Sequence, residues 1–176
     1  MATVARMPAA SGAAASVPEP GPSTAAALNA WRLGLRAHAE ITRVLEADLL
    51  AAHDLPLSHY DVLVQLAEAP GSQLRMSELA ERVLLSRSGL TRLVDRLVRD
   101  GLVSREACPD DARGMLAVLT PAGRDRLREA SPVHLRGIQH RVFDRLTPTE
   151  LAQLSRIFVK LVDGSAPPSQ AEAVGE

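Results

Sequence analysis

The chain has 176 residues, 46% of them apolar, and a net charge of −1, enough for one ordinary domain with a core and too little for two large ones. Aromatics make up only 2%, so Leu, Val and Ala must fill that core, which suits helix-on-helix packing better than a β-sandwich. No apolar run approaches the roughly 18 residues a membrane span needs, no basic flank leads into an apolar block, and the single cysteine, Cys108, lacks an internal disulfide partner; a cytoplasmic protein without membrane attachment is expected.

Residues 1–23 are rich in Ala, Pro, Ser and Gly without apolar periodicity, the composition of a disordered tail. From Thr24 a long helix is predicted, with Leu28, Trp31, Leu35, His38, Thr42, Leu45 and Leu49 recurring at steps of three and four. Ile41, Val44 and Leu50 widen that stripe beyond what one neighbour needs. A second helix is predicted from Ser58, with Ser58 as its cap and Leu57 stapled onto Val62, ending before Ala69-Pro70-Gly71. A short helix follows from Met76 to Arg82, with Leu79, Ala80 and Val83 inward. Ser86 then caps a helix whose apolar set is Leu90, Leu93, Val94 and Leu97, with Gly101 placed for a left-handed C-cap.

Between Leu102 and Leu119 the period shortens. Two β-capable runs, VSRE and MLAVLT, flank the turn-forming CPDDARG, an antiparallel hairpin with a charged tip. Thr120-Pro121 reads as an N-cap followed by proline at the first helical position. The helix that follows carries Leu127, Ala130, His134, Ile138 and Val142 on one face, and Pro132 is expected to kink it. Thr147-Pro148-Thr149-Glu150 is a capping box for a last helix presenting Leu151, Leu154, Phe158 and Leu161. Residues 164–176 read as a second loose tail.

A short helix, a tight turn, a capped second helix and a β-hairpin follow one another as in a winged helix-turn-helix. The expected architecture is therefore mainly α with a small β-wing. The helix after Ser86 separates two chemistries. Its apolar set faces inward, while Ser86, Arg87, Ser88, Thr91, Arg92, Asp95 and Arg96 form the outer face. Arg82 to Arg105 contains six arginines against two aspartates. Such a face, near a positive helix N-terminus, fits the major groove of duplex DNA. On the hairpin, Arg113 is positioned to enter a minor groove, and Asp111 to pair with a nearby arginine and hold the tip.

MSELAERVLLSRSGLTRLVDRLVRDGLVSRE followed by CPDDARGMLAVLTPAGR resembles the DNA-binding domain of the MarR family. The similarity spans residues 24–163. It implies a DNA-binding lobe at about 57–119 and dimerisation helices at about 24–53 and 121–163. The helix from Ser86 to Asp100 would be the recognition helix and Arg113 the wing arginine. The implied partners are a double-stranded, pseudo-palindromic operator and a second copy of the chain. Three positions depart from the family pattern: Ala112 replaces a second wing arginine, Cys108 stands where an acidic residue is frequent, and Arg75 stands where a capping Ser or Thr is expected. The resemblance also implies a small-molecule effector between dimer body and DNA-binding lobe, for which Trp31, His38, Tyr60 and His134 are the candidates by position.

Other readings carry less. His38, His53, His59, His134 and His140 form no His-x-x-x-His or Cys-x-x-Cys pair, so no metal or other cofactor is expected. Peroxide sensors that the chain resembles carry a cysteine in the first helix, where it has none. An enzyme is disfavoured because there is neither a phosphate-binding glycine loop nor a nucleophile elbow. A winged-helix module that binds protein instead of DNA would need an apolar or acidic outer face on the Ser86 helix, and the face here is cationic.

Overall fold

Helix caps define most of the architecture. The structure, a computed structural model, describes residues 22–108 and 111–162, without the side chains of Pro22, Ser23, Ala112 and Arg113. The two expected tails thus lie almost wholly outside the described residues. The helices are α1 (Pro22–His53), α2 (Leu57–Glu68), α3 (Met76–Arg82), α4 (Arg87–Arg99), α5 (Pro121–Arg141) and α6 (Pro148–Val162). The strands are β1 (Gln73–Arg75), β2 (Val103–Cys108) and β3 (Asp111–Leu119). No described helix is long and apolar enough to cross a membrane.

Two compact units are present, one ending at His38 and the other beginning at Ala39. The first is a stretch of helix with Trp31, Leu33 and Leu35 exposed. The second holds the core, in two clusters. One gathers Val62, Leu63 and Leu66 of α2, Leu79 of α3, and Leu90, Val94 and Leu97 of α4, closed by Val103, Ala117 and Leu119 of the sheet. The other joins Leu45 and Leu49 of α1 to Leu55, Leu57, Tyr60 and Ala130. Leu57 therefore packs away from Val62, and the expected staple is replaced.

The start of α2 needs a further correction. Ser58 does not cap it; the helix begins at Leu57 after Pro56, with no side-chain cap of its own. The Glu46 carboxylate accepts from the Leu57 N–H at 2.5 Å, so α1 caps its neighbour with a charge at the positive helix end. Other caps form as expected. Ser86 Oγ accepts from the Gly89 N–H at 3.1 Å. Gly101, at φ 72°, lets Leu102 N–H reach the Leu97 carbonyl at 2.9 Å, a Schellman closure. Thr147 and Glu150 exchange bonds as a capping box. The helix α5 runs through Pro132 as a single span.

The wing is larger than a hairpin. β1 pairs antiparallel with β3, Leu74 opposite Ala117, giving the strand order β1-β3-β2. On the other side Val103 pairs with Leu119 and Cys108 with Asp111, with a register shift between Ala107 and Cys108. Much of the expected turn, Asp111 through Gly114, is strand.

Candidate nucleic-acid interface

The turn between α3 and α4 is tight. Leu84 takes a φ of 54°, and the Leu85 N–H returns to the Ala80 carbonyl at 3.0 Å. This closes the helix-turn-helix and sends α4 across α3, while Leu90, Leu93, Val94 and Leu97 bury its inner face. Burial of those four side chains, at about 1.5–3 kcal/mol each, fixes which face of α4 remains outside.

The outer face carries Arg87, Ser88, Thr91, Arg92 and Arg96, all exposed. Among the described residues none of those three arginines has an acidic side chain at ion-pair distance. Thr91 Oγ1 donates to the Arg87 carbonyl at 2.8 Å, which leaves a low surface between two long cations. Ser86 Oγ lies 3.3 Å from Ser88 Oγ. Ser86 is thus spent mainly on the cap, with Ser88 beside it.

Asp95 belongs to the same face and has a different role. Its Oδ1 accepts from Arg105 Nη1 at 2.5 Å, and Arg105 Nη2 donates to the Thr91 carbonyl at 3.2 Å. A strand residue therefore neutralises the one carboxylate among the expected contacts on α4 and ties the wing to that helix. In the sequence Arg105 stands out only as one of six arginines in a cationic stretch. Its pairing across ten residues and two elements has no local signature.

A second tie holds the wing from the other side. Arg75 Nη1 donates to Asp111 Oδ2 at 3.0 Å. Asp111 thus has the arginine partner expected of it, and Arg75, which makes no side-chain cap for α3, is occupied in the wing. Between these two ion pairs lies an open cavity of about 610 Å³ bordered by Ser77, Arg87, Thr91, Arg105 and Gly114. Three of its lining groups are guanidinium ions: Arg75, Arg87 and Arg105. Such a cleft suits a phosphate backbone. The side chain of Arg113 lies outside the described residues; its backbone is in β3.

Two of the four residues named for an effector, Tyr60 and His134, belong to the second unit. The two meet, their ring centroids 4.4 Å apart, and the Tyr60 hydroxyl donates to Ser131 Oγ at 3.3 Å. Burial pushes the His134 imidazole below its ordinary pKa, and its Nδ1 is buried without a hydrogen-bond partner among the described residues. Trp31 and His38 lie on the first unit, both exposed.

Comparison with known proteins agrees with this arrangement. A family model described as MarR family matches residues 53–114. Over 128 residues the chain is 31% identical to the HTH-type transcriptional regulator YkoM of Bacillus subtilis (strain 168), covering 73% of this chain and 80% of that protein. The fold is similar to Sco3205, a MarR family transcriptional regulator from Streptomyces coelicolor solved in complex with DNA: TM-score 0.77, 38% identity, 85% of this chain and 94% of that one. It is also similar to a mutant MarR from E. coli complexed with operator DNA: TM-score 0.67, 28% identity, 74% of this chain and 91% of that one. Sequence and fold together place the protein: the chain belongs to the MarR family of transcriptional regulators.

Proposed function

We propose that this regulator, which is not an enzyme, works as a cytoplasmic homodimer that binds a pseudo-palindromic site in double-stranded DNA and represses transcription from it. The observation that carries the reading is the outer face of α4: Arg87, Arg92 and Arg96 exposed and unpaired among the described residues, on a helix whose opposite face is locked into the core. One helix fits the width of a major groove, and its short Ser88 and Thr91 let the backbone come close while the arginines reach base edges or phosphates. The wing, with Arg113 near its tip, adds a minor-groove contact.

Dimerisation is supported by apolar surface that a monomer would leave in water. Ile157, Phe158, Val159 and Leu161 of α6 are all more than half exposed, as are Trp31 and Leu33 on α1. These terminal helices, about 24–53 and 121–163, form the dimer body of the proposal, and residues of about 57–119 the DNA-binding lobe. Two-fold symmetry then presents two α4 helices to half-sites about one helical turn apart. A small organic effector that changes their spacing would switch the complex.

Genome-wide mapping of where the protein sits on DNA tests this reading. Discrete peaks over an inverted repeat near promoters, with raised expression of the adjoining genes when the protein is deleted, are the expected result. Occupancy without a shared motif would overturn it.

A further inference from the structure

A cavity of about 600 Å³ opens where the α1–α2 corner, the end of α4 and the first turns of α5 come together. Its charged lining is one-sided, with Asp54, Asp100, Asp125 and Glu129 against Arg126 alone. The Arg126 guanidinium donates to the His53 carbonyl, and Asp125 pairs with Arg128 at 2.7 Å. Among the described residues Asp54, Asp100 and Glu129 have no ion-pair partner.

Carboxylates alone would be an ordinary solvated patch, but His59 adds a different kind of observation. It lines the same cavity, is only 8% exposed, and is the buried polar residue of the described chain. No hydrogen bond to its ring nitrogens occurs among the described residues. Burial holds its pKa below the ordinary value, so the ring is neutral and one nitrogen can accept. The ring nitrogens are not sealed off, so a ligand N–H directed into this cavity would find an acceptor there.

Acidic groups around a neutral imidazole acceptor select a cation that donates hydrogen bonds. No described group of three or more His, Cys, Asp or Glu is arranged to hold a metal ion. The volume lies in the range of small-molecule sites, about 300–1,000 Å³, and Leu55 and Leu102 supply an apolar wall. We infer that this cavity is an effector site for an organic amine or guanidine, its cationic head held by Asp54, Asp100 and Glu129 and one N–H given to His59. Asp100 is the C-cap of α4, so an occupant joins the end of the DNA-reading helix to α5. That consequence rests on the DNA-binding reading; the binding site itself does not.

Calorimetric titration of the full chain with agmatine and with phenethylamine in dilute salt, with phenylacetate as an anionic control, tests the inference. At least one amine is expected to saturate at one site per chain, and phenylacetate not to bind there. Glu129→Gln and Asp54→Asn, both at exposed positions, are expected to weaken that amine about tenfold. Operator Kd is expected to shift about fivefold or more when the amine is bound. Failure of both amines to saturate, or equal binding by both variants, overturns the site. Binding that leaves operator Kd unmoved overturns the effector role. Operator binding without any amine, measured on the same sample, separates the two readings: if it persists while no amine binds, only the site is lost, and if it is absent, the DNA-binding reading fails.

Discussion

The guanidinium of Arg105 grips α4 at two points, the Asp95 carboxylate at 2.5 Å and the Thr91 carbonyl at 3.2 Å. The wing strand β2 is thereby fixed against the helix expected to read DNA. The pair is partly exposed, 28% for Arg105 and 46% for Asp95, so its direct stabilisation is small, about 0.2–1 kcal/mol. Its larger effect is positional.

Arg105→Ala is therefore expected to leave the protein folded, with a small fall in Tm, while operator affinity drops about fivefold or more, roughly 1 kcal/mol. Removing Arg105 also uncovers Asp95 near the phosphates, which adds repulsion. The double variant Arg105→Ala with Asp95→Ala should recover part of the loss. Affinity measurements on the three proteins check this, and an unchanged Kd in Arg105→Ala would remove the clamp from the account.

Arg92 and Arg113 are expected to fail in different ways. Arg113→Ala should weaken binding on all sequences and reduce the salt slope by about one. Arg92→Ala should cost about 1–3 kcal/mol on the preferred sequence and relax discrimination at particular base pairs. Binding to a library of operator variants distinguishes them. Uniform loss on every sequence would reassign Arg92 to a phosphate contact.

Gly123 tests the junction between the DNA-binding lobe and α5. A methyl group at this position would press into the Leu102 carbonyl oxygen and the Leu119 side chain. Thr120 spans the same junction: its Oγ1 donates to the Gly101 carbonyl at 2.8 Å and accepts from the Gly123 N–H at 3.0 Å. The obstacle is backbone, which cannot rotate aside. Gly123→Ala should lower stability by about 1–3 kcal/mol, read as a fall in Tm; a Tm equal to that of the wild type would contradict the close approach.

Stability should fall on mild acidification. His59 and His134 both have folded pKa values below the ordinary 6.5 because burial disfavours the charged ring. For His59, Asp100 and Glu46 pull the other way and Arg96 adds to the lowering. Between the lowered folded value and 6.5 the unfolded chain binds more protons, so stability is full above that window and lost as pH falls through it. Tm should drop between about pH 7.5 and about pH 5.5, with a shallower slope in His59→Gln. A flat or rising Tm over that interval would contradict the burial of both rings.

Local chemistry made most of the architecture readable. The Ser86 and Thr120 caps, the Gly101 closure and the Thr147–Glu150 box each depend on residues three to five positions apart, and the division of α4 into Leu and Arg faces is equally local. What escaped depends on distant partners. β1 is three residues long, too short for alternation to register, and exists through pairing with β3 more than forty residues on. The cap on α2 comes from Glu46, eleven positions earlier, a partner that the adjacent Ser58 conceals in the sequence. Arg105 and Arg75 acquire their partners only when the wing folds back, and the burial of His59 requires α2, α4 and α5 to be assembled.

Fluorescence anisotropy of the purified chain titrated onto the mapped operator, repeated across salt concentrations, tests the central claim most directly. Two chains per duplex, with affinity falling steeply and linearly in log salt and Phe158→Glu losing both dimer and binding, is the predicted result. A monomer that leaves the duplex unbound even in dilute salt would contradict the account.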